Sequence, residues 1–120
     1  MLDAAWLDYQ EYENLGGDKL SPAVWLEMCR VPEANQDYRR TLQVYEKLAA
    51  AHPAKRQGLA AQIAAARILL TKLDRPGDAL QLYHAAAQSA VPHLDLNPEI
   101  EAGAKAATQA ILQQKPLAIR

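Results

Sequence analysis

Two stretches decide the fold: TLQVYEKLAAAHP at residues 41–53 and ALQLYHAAAQSAVP at residues 79–92. Laid over each other with a shift of 38 residues, Thr41 meets Ala79, Leu42 meets Leu80, Tyr45 meets Tyr83 and Leu48 meets Ala86. Pro53 and Pro92 then fall one place apart at the two exits. Within each stretch apolar side chains recur every three or four residues, which makes one face of a helix. Self-similarity at a fixed period marks a supersecondary unit used more than once. Each unit reads as two antiparallel helices, about residues 21–52 and about residues 54–91. A single pair cannot bury both of its faces, so the core has to come from stacking.

The rest of the chain divides into pieces of helical length. Alanine supplies 24 of the 120 residues, phenylalanine is absent and β-branched residues are few. That composition favours helix, since Ala and Leu lose little side-chain freedom there. No stretch alternates apolar and polar residues long enough to argue for a strand. A first helix is expected from about Asp3 to Leu15, with Leu2, Trp6 and Tyr9 on one face and Gly16-Gly17 as its stop. Ser21-Pro22 opens the second as a cap followed by proline at the first helical position. Val24, Trp25, Met28 and Cys29 form its apolar stripe, and Pro32 ends it or starts a turn. The third is expected from about Asn35 to Ala51. In the fourth, about Ala54 to Leu73, Leu59, Ile63, Ala66, Leu70 and Leu73 form a stripe with alanines on the other sides. Such a helix can be approached from two directions and belongs in the centre. The fifth runs from Arg75-Pro76 to Val91-Pro92. The sixth starts at Asn97-Pro98-Glu99, with Asn97 as cap, and is expected to fray from Gln113. The expected fold is one all-α domain over residues 1–120, with about six helices.

Thirteen basic and 14 acidic side chains give a formal net charge of −1, which argues against a bulk polyanion binder. The total conceals an uneven distribution. Residues 1–37 carry eight carboxylates against Lys19 and Arg30, a net −6, and residues 38–75 carry a net +6. The acidic third can therefore dock on the middle of its own chain or of a second copy, so self-association is one expectation. No apolar run approaches the roughly 20 residues that span a bilayer, so no membrane insertion is expected. Asp3 stands where a secretory leader needs positive charge, and Cys29 is the single cysteine. The expected location is the cytoplasm.

The second helices resemble those of the tetratricopeptide repeat family. That family places a small residue, an aromatic four positions on, a small residue three further, and a proline at the exit. Ala79, Tyr83 and Ala86 match this spacing, with Pro92 one position late. Thr41, Tyr45, Leu48 and Pro53 match it more loosely, and Trp25 falls where the family has an early aromatic in the first helix. Two features depart from the pattern. Arg67 and Leu70 replace the usual glycine and tyrosine, and the 38-residue shift exceeds the family's period of about 34. The resemblance covers about Ser21 to Pro92 and implies an antiparallel helix-pair, right-handed superhelical stack. It also implies that the first helix of each pair lines a concave surface for a peptide or partner helix. Leu26 and Arg30 would line it in the first pair, and Ala61, Ala64, Ala65 and Ile68 in the second. The family's clamp for a C-terminal carboxylate needs Lys, Arg and Asn at such positions, and Arg30 alone is present.

The residues point to no catalytic chemistry and no cofactor. His52, His84 and His93 are far apart, and turn and capping duty explains His93, Asp95 and Glu99 better than a metal does. Cys29 lies on an apolar stripe with no base in prospect, as a buried structural thiol would. Arg39-Arg40 and Lys55-Arg56 lack the aromatic interleaving of a nucleic-acid surface. Trp6, Tyr9 and Tyr12 offer an aromatic strip for packing or for a partner. The leading expectation is a non-catalytic protein–protein interaction or scaffolding domain. The alternative is an oligomerisation or regulatory module of a longer protein, a membrane-anchored one included.

Overall fold

Ser21 opens the first helix as its sequence predicts. Its hydroxyl accepts a hydrogen bond from the Val24 N–H at 3.3 Å, and Pro22 fills the first helical position, where no donor is needed. The structure is a computed structural model that describes residues 21–119, with side chains to residue 113. The helix expected over about residues 3–15 lies outside the described residues. The described chain forms five α-helices: α1 (Pro22–Ala34), α2 (Tyr38–Ala51), α3 (Arg56–Thr71), α4 (Pro76–Ala87) and α5 (Asn97–Ile119). A 3-10 turn over Leu94–Leu96 precedes α5, and no strand occurs among the described residues.

Several boundaries differ from those expected, among them the end of α4, at Ala87 rather than at Val91-Pro92. α1 runs through Pro32 to Ala34. The Asp37 N–H then bonds to the Pro32 carbonyl at 2.8 Å and the Gln36 N–H to the Glu33 carbonyl at 3.0 Å. This wrap needs a left-handed residue, and Gln36 supplies it at φ 63°. α2 therefore begins at Tyr38 rather than Asn35. Asp37 caps it, accepting from the Arg40 N–H at 3.4 Å, while the Thr41 hydroxyl donates to the Asp37 carbonyl at 2.8 Å. Asn97 is not an extended cap, because the 3-10 turn feeds it directly into the helix at φ −55°, ψ −43°. α5 continues past Gln113 to Ile119.

Consecutive helices pack on one another all along the chain. α1 also touches α3, and α3 touches α5, whereas α2 and α4 do not touch. The helices thus form two rows: α1, α3 and α5 in contact on one side, α2 and α4 spaced apart on the other. α3 sits between its neighbours and buries eight residues, among them Leu59, Ile63, Ala66 and Leu69. Its small side chains allow the approach from both sides. Gly58 marks the tightest point: a Cβ there would lie 1.9 Å from the His52 carbonyl oxygen at the end of α2. First helices start 34 residues apart, at Pro22 and Arg56, and second helices 38 apart, at Tyr38 and Pro76. Most of the difference is the greater length of α3, 16 residues against 13 in α1.

Candidate functional site

Three helices meet at Glu33, near the end of α1. The Tyr45 hydroxyl on α2 donates to its Oε1 at 3.0 Å, and Arg67 of α3 pairs with its Oε2 at 2.9 Å. Tyr45 can do this because its ring threads from α2 between the two first helices and is almost wholly buried. Burial, the nearby Glu33 charge and the hydrogen bond to it all push the Tyr45 phenol well above its ordinary range. Cys29, one turn before Glu33, is fully buried, and burial followed by the Glu33 charge raises its thiol to about 12. It is a neutral packing residue at physiological pH, not a thiolate nucleophile.

Above this network lies a cavity of about 500 Å³ between α1 and α3. Leu26, Ala34, Ala60 and Ala64 form its apolar part, and Arg30, Glu33, Tyr45 and Arg67 its polar part. Arg30 points into solvent and pairs with Glu27 at 3.5 Å, one turn earlier. Arg67 stays partly exposed beyond its bond to Glu33. The cavity therefore offers a small-residue floor flanked by two guanidinium groups.

Of the residues expected to line a concave surface, Leu26, Arg30 and Ala64 border the cavity between α1 and α3. Ala61, Ala65 and Ile68 do not: they are at most 1% exposed and lie within the core. Each residue turns a helix by 100°, so the 61-65-68 stripe and the 60-64-67 stripe face different neighbours. Glu33, Ala34, Tyr45, Ala60 and Arg67 are the lining residues that sequence reasoning missed. The repeat positions Trp25, Thr41, Tyr45, Leu48, Ala79, Tyr83 and Ala86 are all buried. Trp25 stands edge-on to the His52 ring, with centroids 6.0 Å apart. Tyr83 rests its ring on α5, where a Cβ on Gly103 would come within 2.2 Å of it.

Three of the candidate contact and ligand residues, Arg56, Asp95 and His93, are engaged within the fold. Both guanidinium nitrogens of Arg56 reach the Asp95 carboxylate, one at 3.1 Å, tying the start of α3 to the 3-10 turn. The hydrogen bond from Arg56 holds the Asp95 carboxyl below its usual range. His93 Nδ1 donates to the Val91 carbonyl at 2.6 Å. Among the described residues no group of three His, Cys, Asp or Glu side chains could hold a metal ion. Nor is any described helix long and apolar enough to cross a membrane. On the other side of the molecule, Leu42, Glu46 and Arg75 border two smaller cavities of about 380 and 220 Å³, and Arg75 pairs with Asp78 at 2.6 Å. Trp6, Tyr9 and Tyr12 lie outside the described residues.

Comparison of the chain with protein-family models, curated proteins and solved structures finds no match.

Proposed function

We propose that this chain is a tetratricopeptide-like, right-handed stack of helix pairs that serves as a non-catalytic protein-interaction module. The observation that carries the reading is the cavity between α1 and α3, with its apolar floor of Leu26, Ala60 and Ala64 and its flanking Arg30 and Arg67. The row arrangement supports it: first helices touch along one side while the second helices stand apart, as a concave array requires. α5 enters the array as a further first helix, its Gly103 under the Tyr83 ring. The partner that fits is a peptide or helix with an apolar stripe and a carboxylate placed to meet Arg30. A fully buried, reduced Cys29 suits a cytoplasmic protein.

Selection from a displayed peptide library, followed by affinity measurement, tests the reading. Selected peptides should carry an acidic residue beside an apolar stripe. Leu26→Glu and Ala64→Glu should each weaken them at least about tenfold, the equivalent of roughly 1.4 kcal/mol. Gln43→Glu, on the opposite side, should not. Equal binding to all three variants would remove the groove from the proposal.

A second reading is an oligomerisation module. It is favoured by the exposed Leu94, before α5, and Leu112, on α5, at 85% and 59% exposure. A mass that rises with concentration and falls on Leu112→Glu would support it over the first.

A further inference from the structure

Two tyrosines at matching repeat positions carry their hydroxyl groups to a carboxylate-bearing face of a first helix. The Tyr45 hydroxyl donates to Glu33 of α1, and Arg67 of α3 pairs with the same carboxylate at 2.9 Å. Tyr83 of α4 ends against α5, where a Cβ on Gly103 would stand 2.6 Å from its hydroxyl oxygen. Glu99 lies one turn before Gly103 and so on the same face of α5. The phenol registers both neighbours: after burial, the Glu99 charge raises its pKa, and the Arg67 charge lowers it. Arg67 acts on the Tyr45 phenol as well. It lines the cavity between α1 and α3, which puts Glu99 on the cavity side of the array.

The two carboxylates differ in what they meet. Both oxygens of Glu33 are engaged, one by Tyr45 and one by Arg67, so its charge is offset inside the protein. Glu99 is exposed, and among the described residues no cation forms an ion pair with it. Exposed Ala102 and Ala106 follow it by three and seven residues, which gives its side of α5 the small-residue surface that Ala60 and Ala64 give α3. The inner side is therefore cationic at Arg30 and anionic at Glu99. We propose that Glu99 receives a basic side chain, arginine or lysine, of the same peptide or helix whose acidic residue meets Arg30. That cation pairs with Glu99 as Arg67 pairs with Glu33, beside the Tyr83 hydroxyl. The partner then carries opposite charges on the two sides of its apolar stripe, and they fix the direction in which it crosses the first helices. The inference rests on the peptide-binding reading of the cavity and adds to it a second charge and a direction.

Affinities of a peptide selected on the wild-type chain test it, with thermal midpoints as the folding control. The peptide should carry an arginine or lysine across the apolar stripe from its acidic residue. Glu99→Lys should weaken it at least about tenfold, because like charges then meet, and Glu99→Gln, which keeps the size, by less. Changing the peptide's basic residue to glutamate should weaken binding to the wild type and restore most of the binding to Glu99→Lys. Glu101→Lys, the same charge change on the opposite side of α5, should leave affinity unchanged. Binding that Leu26→Glu abolishes but Glu99→Lys leaves intact would overturn this inference alone. So would equal losses from Glu99→Lys and Glu101→Lys, or a loss that the charge-swapped peptide does not recover. Peptides indifferent to Leu26→Glu and Ala64→Glu, or a library that yields none, would overturn the underlying reading and this inference with it.

Discussion

Tyr45 and Tyr83 hold matching places in the two helix pairs, yet their surroundings are unlike. Tyr45 reaches the inner side and gives its hydroxyl to Glu33, which Arg67 also holds. Tyr83 instead lays its ring across Gly103 on the next helix. One pair is thus joined to its neighbour by a polar three-helix knot, the other by close apolar contact. Both pairs carry a buried tyrosine at this place, while what meets the ring's far end differs. That difference lets the first pair border a cavity with charged groups.

The largest effect should come from removing the shared element. Tyr83→Ala should lower stability by about 3–5 kcal/mol, read as a shift of the denaturant midpoint, because a large buried ring leaves a cavity. Gly103→Ala should follow at about 1–3 kcal/mol, since the ring beneath it has to move. Tyr45→Phe probes the polar knot alone. It should lose roughly 1.5 kcal/mol, the low end for a bond to a carboxylate that water partly reaches. Tyr83→Phe should lose less, and equal losses at the two sites would erase the distinction between the pairs.

Alkaline titration should sharpen the same contrast. The Cys29 thiol and the two phenols have folded pKa values raised chiefly by burial, so the unfolded chain ionises first. Their contribution is complete below about pH 9, the ordinary thiol value, and declines as pH rises through 10 toward the folded values. Thermal melts between pH 7 and 11 should show this fall, and Cys29→Ala should delay its onset. Asp95→Asn should have the smallest effect. Arg56 depresses the folded pKa of Asp95, so the pair contributes above the ordinary carboxylate range and is lost as pH falls below it. A slight drop in Tm at pH 7 that disappears near pH 2 is the expected result.

Much of this architecture is readable from residue order. Ser21-Pro22 and Pro76 start helices where their chemistry says they should, and the period of Leu59, Ile63 and Ala66 identifies a buried face. The start of α2 was hidden because its turn relies on Gln36 at positive φ, where glycine or asparagine is the usual signal. Asn97 looked like a cap because the 3-10 turn before it leaves no mark in composition. On α3 the cavity-lining residues differ by one position from those expected, for a different reason. In α3 alanines stand on both the 60-64 stripe and the 61-65 stripe, so polarity does not tell them apart. Arg67 was the available clue, since a charged side chain seven residues after Ala60 favours the more open stripe.

The spacing of the outer row has a mechanical consequence. α1, α3 and α5 touch in series, whereas α2 and α4 leave a gap bordered by Leu42, Glu46 and Arg75. Packing is therefore continuous along one edge and interrupted along the other. A change in the width of that gap would alter how α2 and α4 face each other while α1, α3 and α5 keep their contacts in series.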